Sequence, residues 1–134
     1  MGDFGDQIRQ WTVKTEGKIG DVARKIALDA FAEVIQKTPV DTGRARGNWQ
    51  TAVNAVPTGT LESLDPSGAM AIAGVHAGVA GFKVGDIAYL ANNLPYIMRL
   101  EEGYSKQAPS GMVRLTAQRF QVIADRAIAA IGAR

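Results

Sequence analysis

The side chains able to do chemistry are few in this sequence and stand apart from one another. His76 is the only histidine, and the chain has no cysteine, so thiolate nucleophiles and thiolate metal sites are excluded. Ser105 and Ser110 have no identifiable base to activate a hydroxyl. Glu101 and Glu102 are adjacent, and neighbouring residues in a helix point in different directions. The sequence therefore predicts no catalytic, metal or cofactor site, and a hydrolase is the weakest functional hypothesis.

Contact groups, in contrast, are concentrated in residues 92–112, NNLPYIMRLEEGYSKQAPSGM. This segment combines amides, two tyrosines, opposed charges, two prolines and two glycines. Loops with such a composition commonly carry recognition surfaces. The segment is rich in contact groups and poor in reactive ones, so it predicts a binding or assembly surface.

The composition is that of one folded domain. The chain has 134 residues, of which 46% are hydrophobic and 21% charged, and we interpret residues 1–134 as a single domain. Acidic residues near the start argue against a signal peptide, and the apolar stretch 69–82 is shorter than the roughly 20 residues of a membrane span. The absence of cysteine fits folding inside a cell. We expect no membrane association.

The net charge is only +2, but the basic excess lies in the last quarter of the chain. This region holds Lys106, Arg114, Arg119, Arg126 and Arg134 against the single acid Asp125. Arg119 and Arg126 share a face of the predicted last helix, which would suit non-specific contact with DNA. A small nucleic-acid-binding protein is therefore the alternative function, although no recognised binding motif accompanies these arginines. A solvated basic surface would give the same pattern.

A long amphipathic helix opens the chain. Its apolar positions recur every three or four residues: Phe4, Ile8, Trp11, Thr15, Ile19, Val22, Ile26, Ala30 and Val34. Gly17 and Gly20 allow a kink, since each costs about 1 kcal/mol relative to alanine in a helix. Thr38 and Pro39 end the helix, because proline disfavours the helical conformation of the residue before it.

The remaining elements predict an α+β fold. We expect an ordered turn over 40–49, strands over 49–56 and 87–91, a middle helix from the Asp65 cap to about Phe82, and a last helix from Met112 to about Gly132. Ser110 is a candidate cap for the last helix. Because only two strands are evident, the small antiparallel sheet must be covered by the three helices and extended by weakly marked segments or neighbouring subunits.

Two segments resemble a known family. Residues 38–49 read TPVDTGRARGNW, and residues 92–112 contain NNLPY followed by LEEGYSKQAPSGM. Both resemble elements of the neck or tail-completion proteins of long-tailed, siphovirus-like bacteriophages and prophages. In that family the first element follows the first helix and the second precedes the last helix, which is the order found in this chain.

The resemblance implies a structural protein of the virion, not an enzyme. It implies a homo-oligomeric ring at the head-to-tail junction, with six-fold symmetry as one candidate, through which double-stranded DNA passes. The implied partners are head-closure or connector proteins and tail-terminator or tail-tube proteins. Assembly would take place in the host cytoplasm before incorporation into the virion neck.

The resemblance also marks candidate interface residues in both segments. They are Asp41, Thr42, Arg44, Arg46, Trp49, Asn92, Asn93, Tyr96, Arg99, Glu101, Tyr104, Lys106 and Gln107, with Arg119 and Arg126 as candidates for a DNA-facing lumen. Simpler interpretations stand beside these. Asp41 and Thr42 suit turn capping, and Trp49 suits either the core or a subunit contact.

Overall fold

The predicted α+β class is confirmed by a computed structural model that describes residues 2–132, with side chains from residue 19 onward. The elements follow in the order α1 (Gly2–Lys37), α2 (Arg44–Gly47), β1 (Gln50–Val53), α3 (Ala69–Val79), β2 (Ala88–Ala91), α4 (Ile97–Glu101), α5 (Val113–Gln118) and α6 (Phe120–Gly132). Helix α3 packs against β1 and α1, and α6 packs along α1.

Helix α1 ends at Lys37, directly before Thr38 and Pro39 as predicted, and it runs unbroken through both glycines. Its buried face differs from the predicted stripe: the core is contacted at Ala23, Ala27, Leu28, Phe31, Val34 and Ile35. Apart from Val34, which belongs to both, this face is rotated by about one position from the predicted stripe. The predicted apolar residues Phe4 to Thr15 lie outside the described side chains.

Strands β1 and β2 pair antiparallel, with Gln50 opposite Ala91 and Val53 opposite Ala88. Val53, Ala88 and Leu90 pack against the hydrophobic core, so they define the inner face of the sheet. Side chains alternate along a strand, which places Gln50 and Ala52 on the outer face. Within residues 2–132 the sheet has two strands, so the described part of the chain supplies no further strand.

The middle helix is shorter than predicted. Asp65 is buried and its Oδ2 accepts a hydrogen bond from the Ala71 amide at 2.9 Å, but α3 begins only at Ala69, after Gly68 in a left-handed conformation. A turn from Asp65 to Gly68 occupies the predicted first helical turn, and α3 ends at Val79 rather than at Phe82. The carboxylate thus supports the helix start from outside the helix.

The predicted last helix is divided into α5 and α6. Arg119 separates them with φ −95° and ψ 5°, while its amide and carbonyl still bond to Thr116 and Ile123. Ile123, Ala127 and Ile131 of α6 are buried on the body of the fold, and α6 packs along α1. The prediction of one continuous helix was wrong at this position.

Candidate subunit interface

The two motif segments, residues 38–49 and 92–112, lie against each other in the fold. The Gln107 side chain pairs with both backbone polar atoms of Val40: the Val40 amide donates to Oε1 at 2.9 Å, and Nε2 donates to the Val40 carbonyl at 3.0 Å. Asn92 Nδ2 donates to the Ala45 carbonyl at 2.8 Å. The structure therefore unites the two segments that sequence similarity singled out.

Trp49 belongs to the core, one of the two predicted settings. Its side chain is 7% exposed, and Nε1 donates to Thr38 Oγ1 at 2.7 Å. The Thr38 hydroxyl in turn donates to the Val34 carbonyl at 2.8 Å. Tryptophan is favoured where a large apolar ring is buried and its single N–H finds an acceptor. This chain of bonds fixes the end of α1 against the start of β1.

Arg46 holds the C-terminal end of α1. Its guanidinium donates to the carbonyls of Gln36 at 2.8 Å, Thr38 at 2.8 and 3.2 Å, and Pro66 at 2.8 Å. The last carbonyls of a helix lack partners within the helix, and a cation there also matches the helix dipole. These four bonds give Arg46 a structural role within the chain.

Gly43 explains why the first motif segment turns where it does. Its φ is +89°, and a Cβ there would lie 2.5 Å from the Pro66 nitrogen. A residue with a side chain would be strained in this conformation and would collide with the neighbouring backbone. The Gly43 carbonyl also accepts the Asp65 amide at 3.0 Å. Thr42 Oγ1, as expected for a turn residue, accepts a backbone bond from Arg44 at 3.3 Å.

Two asparagines of the motif segments anchor the loop that follows β1. Asn48 is fully buried, donates to the Leu61 carbonyl at 3.0 Å and accepts the Leu61 amide at 2.7 Å. Asn93 Nδ2 donates to the carbonyls of Pro57 at 3.1 Å and Gly59 at 3.0 Å. Both side chains therefore order the chain internally.

Glu101 caps α5, a role for which Ser110 was the candidate. Its carboxylate accepts the backbone amides of Met112 at 2.9 Å, Val113 at 2.8 Å and Arg114 at 2.9 Å. Burial raises the pKa of Glu101, but these amide bonds and the charge of Arg114 outweigh it and hold the pKa below its ordinary value. The prediction that Ser110 caps this helix was wrong, because the Glu101 carboxylate already accepts the free amides at its start.

A groove of about 230 Å³, here called the motif groove, opens between the two motif segments. Residues 39–45 form one wall, and Tyr96, Leu100, Ser105 and Gln107 form the other. Arg44 lines it with a buried Nε that has no hydrogen-bond partner among the described residues. The groove therefore combines polar donors with an aromatic rim.

The remaining candidate interface residues are exposed and either line the motif groove or are next in sequence to residues that line it. Tyr104 is 74% exposed, and the Arg99 guanidinium lies over its ring at 5.9 Å from the centroid, within the range of a cation–π contact. Asp41, Thr42, Tyr96 and Lys106 are also exposed. Tyrosine and arginine are enriched at the energetic centres of protein interfaces.

Two of the basic residues near the last helices are paired with acids. Arg119 Nε donates to Glu33 Oε1 at 2.8 Å, and Lys37 contacts the same oxygen at 3.3 Å. Burial raises the pKa of Glu33, but these bonds and charges lower it to below its ordinary value. Arg114 contacts the Glu101 carboxylate at 3.4 Å. Arg126 is exposed on α6.

A second concave surface, absent from the sequence prediction, lies beside β2. We call it the apolar groove; its volume is about 410 Å³. It is lined by Ala30, Phe31, Val34, Trp49, Ala88, Tyr89, Leu90, Val113, Thr116, Ala117 and Phe120. The lining comes from four elements distant in sequence, so no local pattern marks it.

Chemistry-bearing residues are not brought together. His76 is exposed on α3, and the Ser105 hydroxyl accepts the Gln107 amide at 3.1 Å. Across the described residues, no three His, Asp or Glu side chains form a potential metal site. No helix in that part of the chain is long and apolar enough to cross a bilayer.

No protein-family model, curated protein or solved structure matches this chain. The functional interpretation therefore depends on the motif segments and on the geometry described above.

Proposed function

We propose that this protein is a structural component of the virion neck in a long-tailed bacteriophage or prophage. In this proposal it assembles into a homo-oligomeric ring between the capsid connector and the tail, through which double-stranded DNA passes. The chain acts by protein contact and performs no catalysis. It is made in the host cytoplasm and retained in the particle.

The observation that supports this proposal is the contact between residues 38–49 and 92–112. The Gln107–Val40 and Asn92–Ala45 bonds join segments that resemble the two elements of the neck family. If the similarity were accidental, there would be no reason for the two segments to meet in one place. Their meeting favours a single shared surface as the origin of the pattern.

The side chains of the motif segments divide into two groups. Arg46, Trp49, Asn92, Asn93, Glu101 and Gln107 are hydrogen-bonded within the chain. Asp41, Tyr96, Arg99, Tyr104 and Lys106 are exposed around the motif groove. We infer that the first group builds the surface and the second contacts neighbouring virion proteins.

Duplex DNA binding by the last helices has less support. Arg119 is paired with Glu33 at 2.8 Å, which reduces its net contribution to a basic surface. Arg126 is the exposed arginine of α6, and a single cation gives a shallow dependence of DNA affinity on salt. Passage of DNA through a ring without sequence recognition requires no stronger DNA binding than this.

Deletion of the gene from the phage or prophage genome that encodes it tests the proposal. After induction, electron microscopy of the lysate is expected to show filled heads and separate tails, with joined particles restored by the gene supplied in trans. Deletion lysates that contain joined, infectious particles at the wild-type level would overturn the proposal.

A further inference from the structure

The loop between β1 and α3 is held in place by side chains from the rest of the fold. We call residues 55–64 the presented loop. Its backbone is bonded at Pro57, Gly59 and Leu61 by Asn93 and Asn48, as described above, and Gln50 Nε2 adds a bond to the Gly59 carbonyl at 2.9 Å. The loop is irregular in secondary structure but has a defined position.

This ordered backbone carries apolar side chains into solvent. Leu64 is 59% exposed and Val56 is 56% exposed, with Leu61 also on the surface. Single exposed apolar residues are common on protein surfaces. Here three of them lie within nine positions, on a backbone that is held in place by the side-chain amides of the fold, and such clusters mark contact surfaces. Ordering a segment before it binds lowers the entropy lost on association. The presented loop therefore has the form of a preorganised contact.

The apolar groove has complementary chemistry. None of its lining side chains is charged, and it opens along the edge of β2 that does not pair with β1.

The loop and the groove are two different surfaces of the chain. No residue of the loop lines the groove, which is bounded by residues of α1, β2, α5 and α6, whereas the loop is bonded by Gln50 of β1. A contact between them in two copies therefore joins unlike surfaces, as a heterologous contact does.

Charge at the rim also matches. Glu62 is the one charged residue of the presented loop. Arg114 and Arg119 flank the groove residues Val113 and Phe120, and their side chains are 58% and 37% exposed. Each is paired with a carboxylate, Glu101 and Glu33 respectively, but Lys37 also contacts Glu33, so this cluster keeps a small net positive charge. Opposite charges around an apolar contact favour encounter and fix its register.

We propose that copies of this protein associate head to tail, with the presented loop of one copy seated in the apolar groove of the next. Leu61 and Leu64 enter the groove. Repetition of a heterologous contact produces a closed ring when its rotation closes. The ring itself rests on the proposed function, whereas the loop and the groove rest on the geometry alone.

Sedimentation velocity of the full chain over a concentration series tests the contact. Leu64→Lys and Phe120→Asp each damage one side, and both positions are more than half exposed, so the fold is expected to persist. Each variant should weaken self-association by at least about tenfold, because an apolar contact is replaced by a buried charge. Val84→Lys and Val122→Asp are matched controls at exposed positions outside both surfaces and should associate like wild type.

Mixing the two variants distinguishes this contact from any other. Leu64→Lys retains a groove and Phe120→Asp retains a loop, so an equimolar mixture should form a dimer with one chain of each kind and no larger species. The proposal is overturned by a wild-type protein that stays monomeric throughout, by variants that assemble normally, or by a mixture without the mixed dimer. Failure of the proposed neck function would instead appear in the deletion lysate, whatever the solution assembly.

Discussion

Gln107 satisfies both backbone polar atoms of Val40, a residue 67 positions earlier in the chain. The side-chain amide makes the two hydrogen bonds that the backbone of a paired strand would make. It thereby holds the turn after α1 against the loop before α5. Together with the Asn92–Ala45 bond, this pair links the two motif segments directly, and its removal should loosen the motif groove without disturbing the core.

We expect Gln107→Ala to lower the free energy of unfolding by about 1 kcal/mol, which is the typical net contribution of an intramolecular hydrogen bond that water can replace. The Val40 amide should exchange hydrogen faster in this variant, which NMR can measure residue by residue. Gln36→Ala is the matched control, because the Gln36 side chain is exposed and only its carbonyl is used by Arg46. Unchanged exchange at Val40 would contradict the assigned pairing.

Thr38→Val removes a hydroxyl that both accepts from Trp49 and donates to Val34. The Trp49 N–H would then be buried without an acceptor, so we expect a loss of about 1–3 kcal/mol in the free energy of unfolding. Urea denaturation followed by tryptophan fluorescence gives this value. Thr58→Val, at an exposed position, should change stability little; equal effects of the two substitutions would exclude the proposed bond.

Glu101→Gln should destabilise the protein by about 1–3 kcal/mol, because three amides lose a charged acceptor. The folded-state pKa of Glu101 is depressed, so its stabilising contribution is full above the ordinary value of 4.5 and is lost as the pH falls through the folded pKa. The stability difference between wild type and variant should therefore shrink on acidification below that value. Glu102→Gln at the exposed neighbouring position serves as the control, and a difference independent of pH would be inconsistent with the cap.

Glycines 74 and 78 of α3 should respond in opposite directions to alanine. A Cβ at Gly78 would lie 2.8 Å from Thr51 Cγ2 and 3.1 Å from the Thr51 carbonyl, whereas the position at Gly74 is open. We expect Gly78→Ala to destabilise the contact of α3 with β1, and Gly74→Ala to gain about 0.5–1 kcal/mol from helix propensity. Thermal unfolding of both variants provides the comparison, and a stabilised Gly78→Ala would refute the close packing.

Much of the fold could be predicted from the sequence because it depends on local signals. Pro39 ends α1 because its effect on the preceding residue is local. The strand predicted over 87–91 was likewise marked by neighbouring residues, and β2 lies at Ala88–Ala91. Such features depend on one residue and its immediate neighbours, so a single sequence contains them.

The features that were missed depend on distant partners. Glu101 reaches the amides of α5, and Arg119 interrupts the last helix while bonded to Glu33. For the candidate site, the motifs predicted which residues belong to it. They did not predict which of these side chains bond within the chain and which are exposed. The structural role of Arg46, in contrast to the exposed Arg99, depends on backbone carbonyls that only the fold brings around its guanidinium.

If this protein joins heads to tails, it must be located at the junction between them in the finished particle. Purified virions of the encoding phage can be labelled with an antibody to the protein and imaged by electron microscopy. We expect label concentrated at the head-to-tail junction, with the chain present in purified particles by mass spectrometry. Particles that are complete and infectious but contain none of this chain would contradict it.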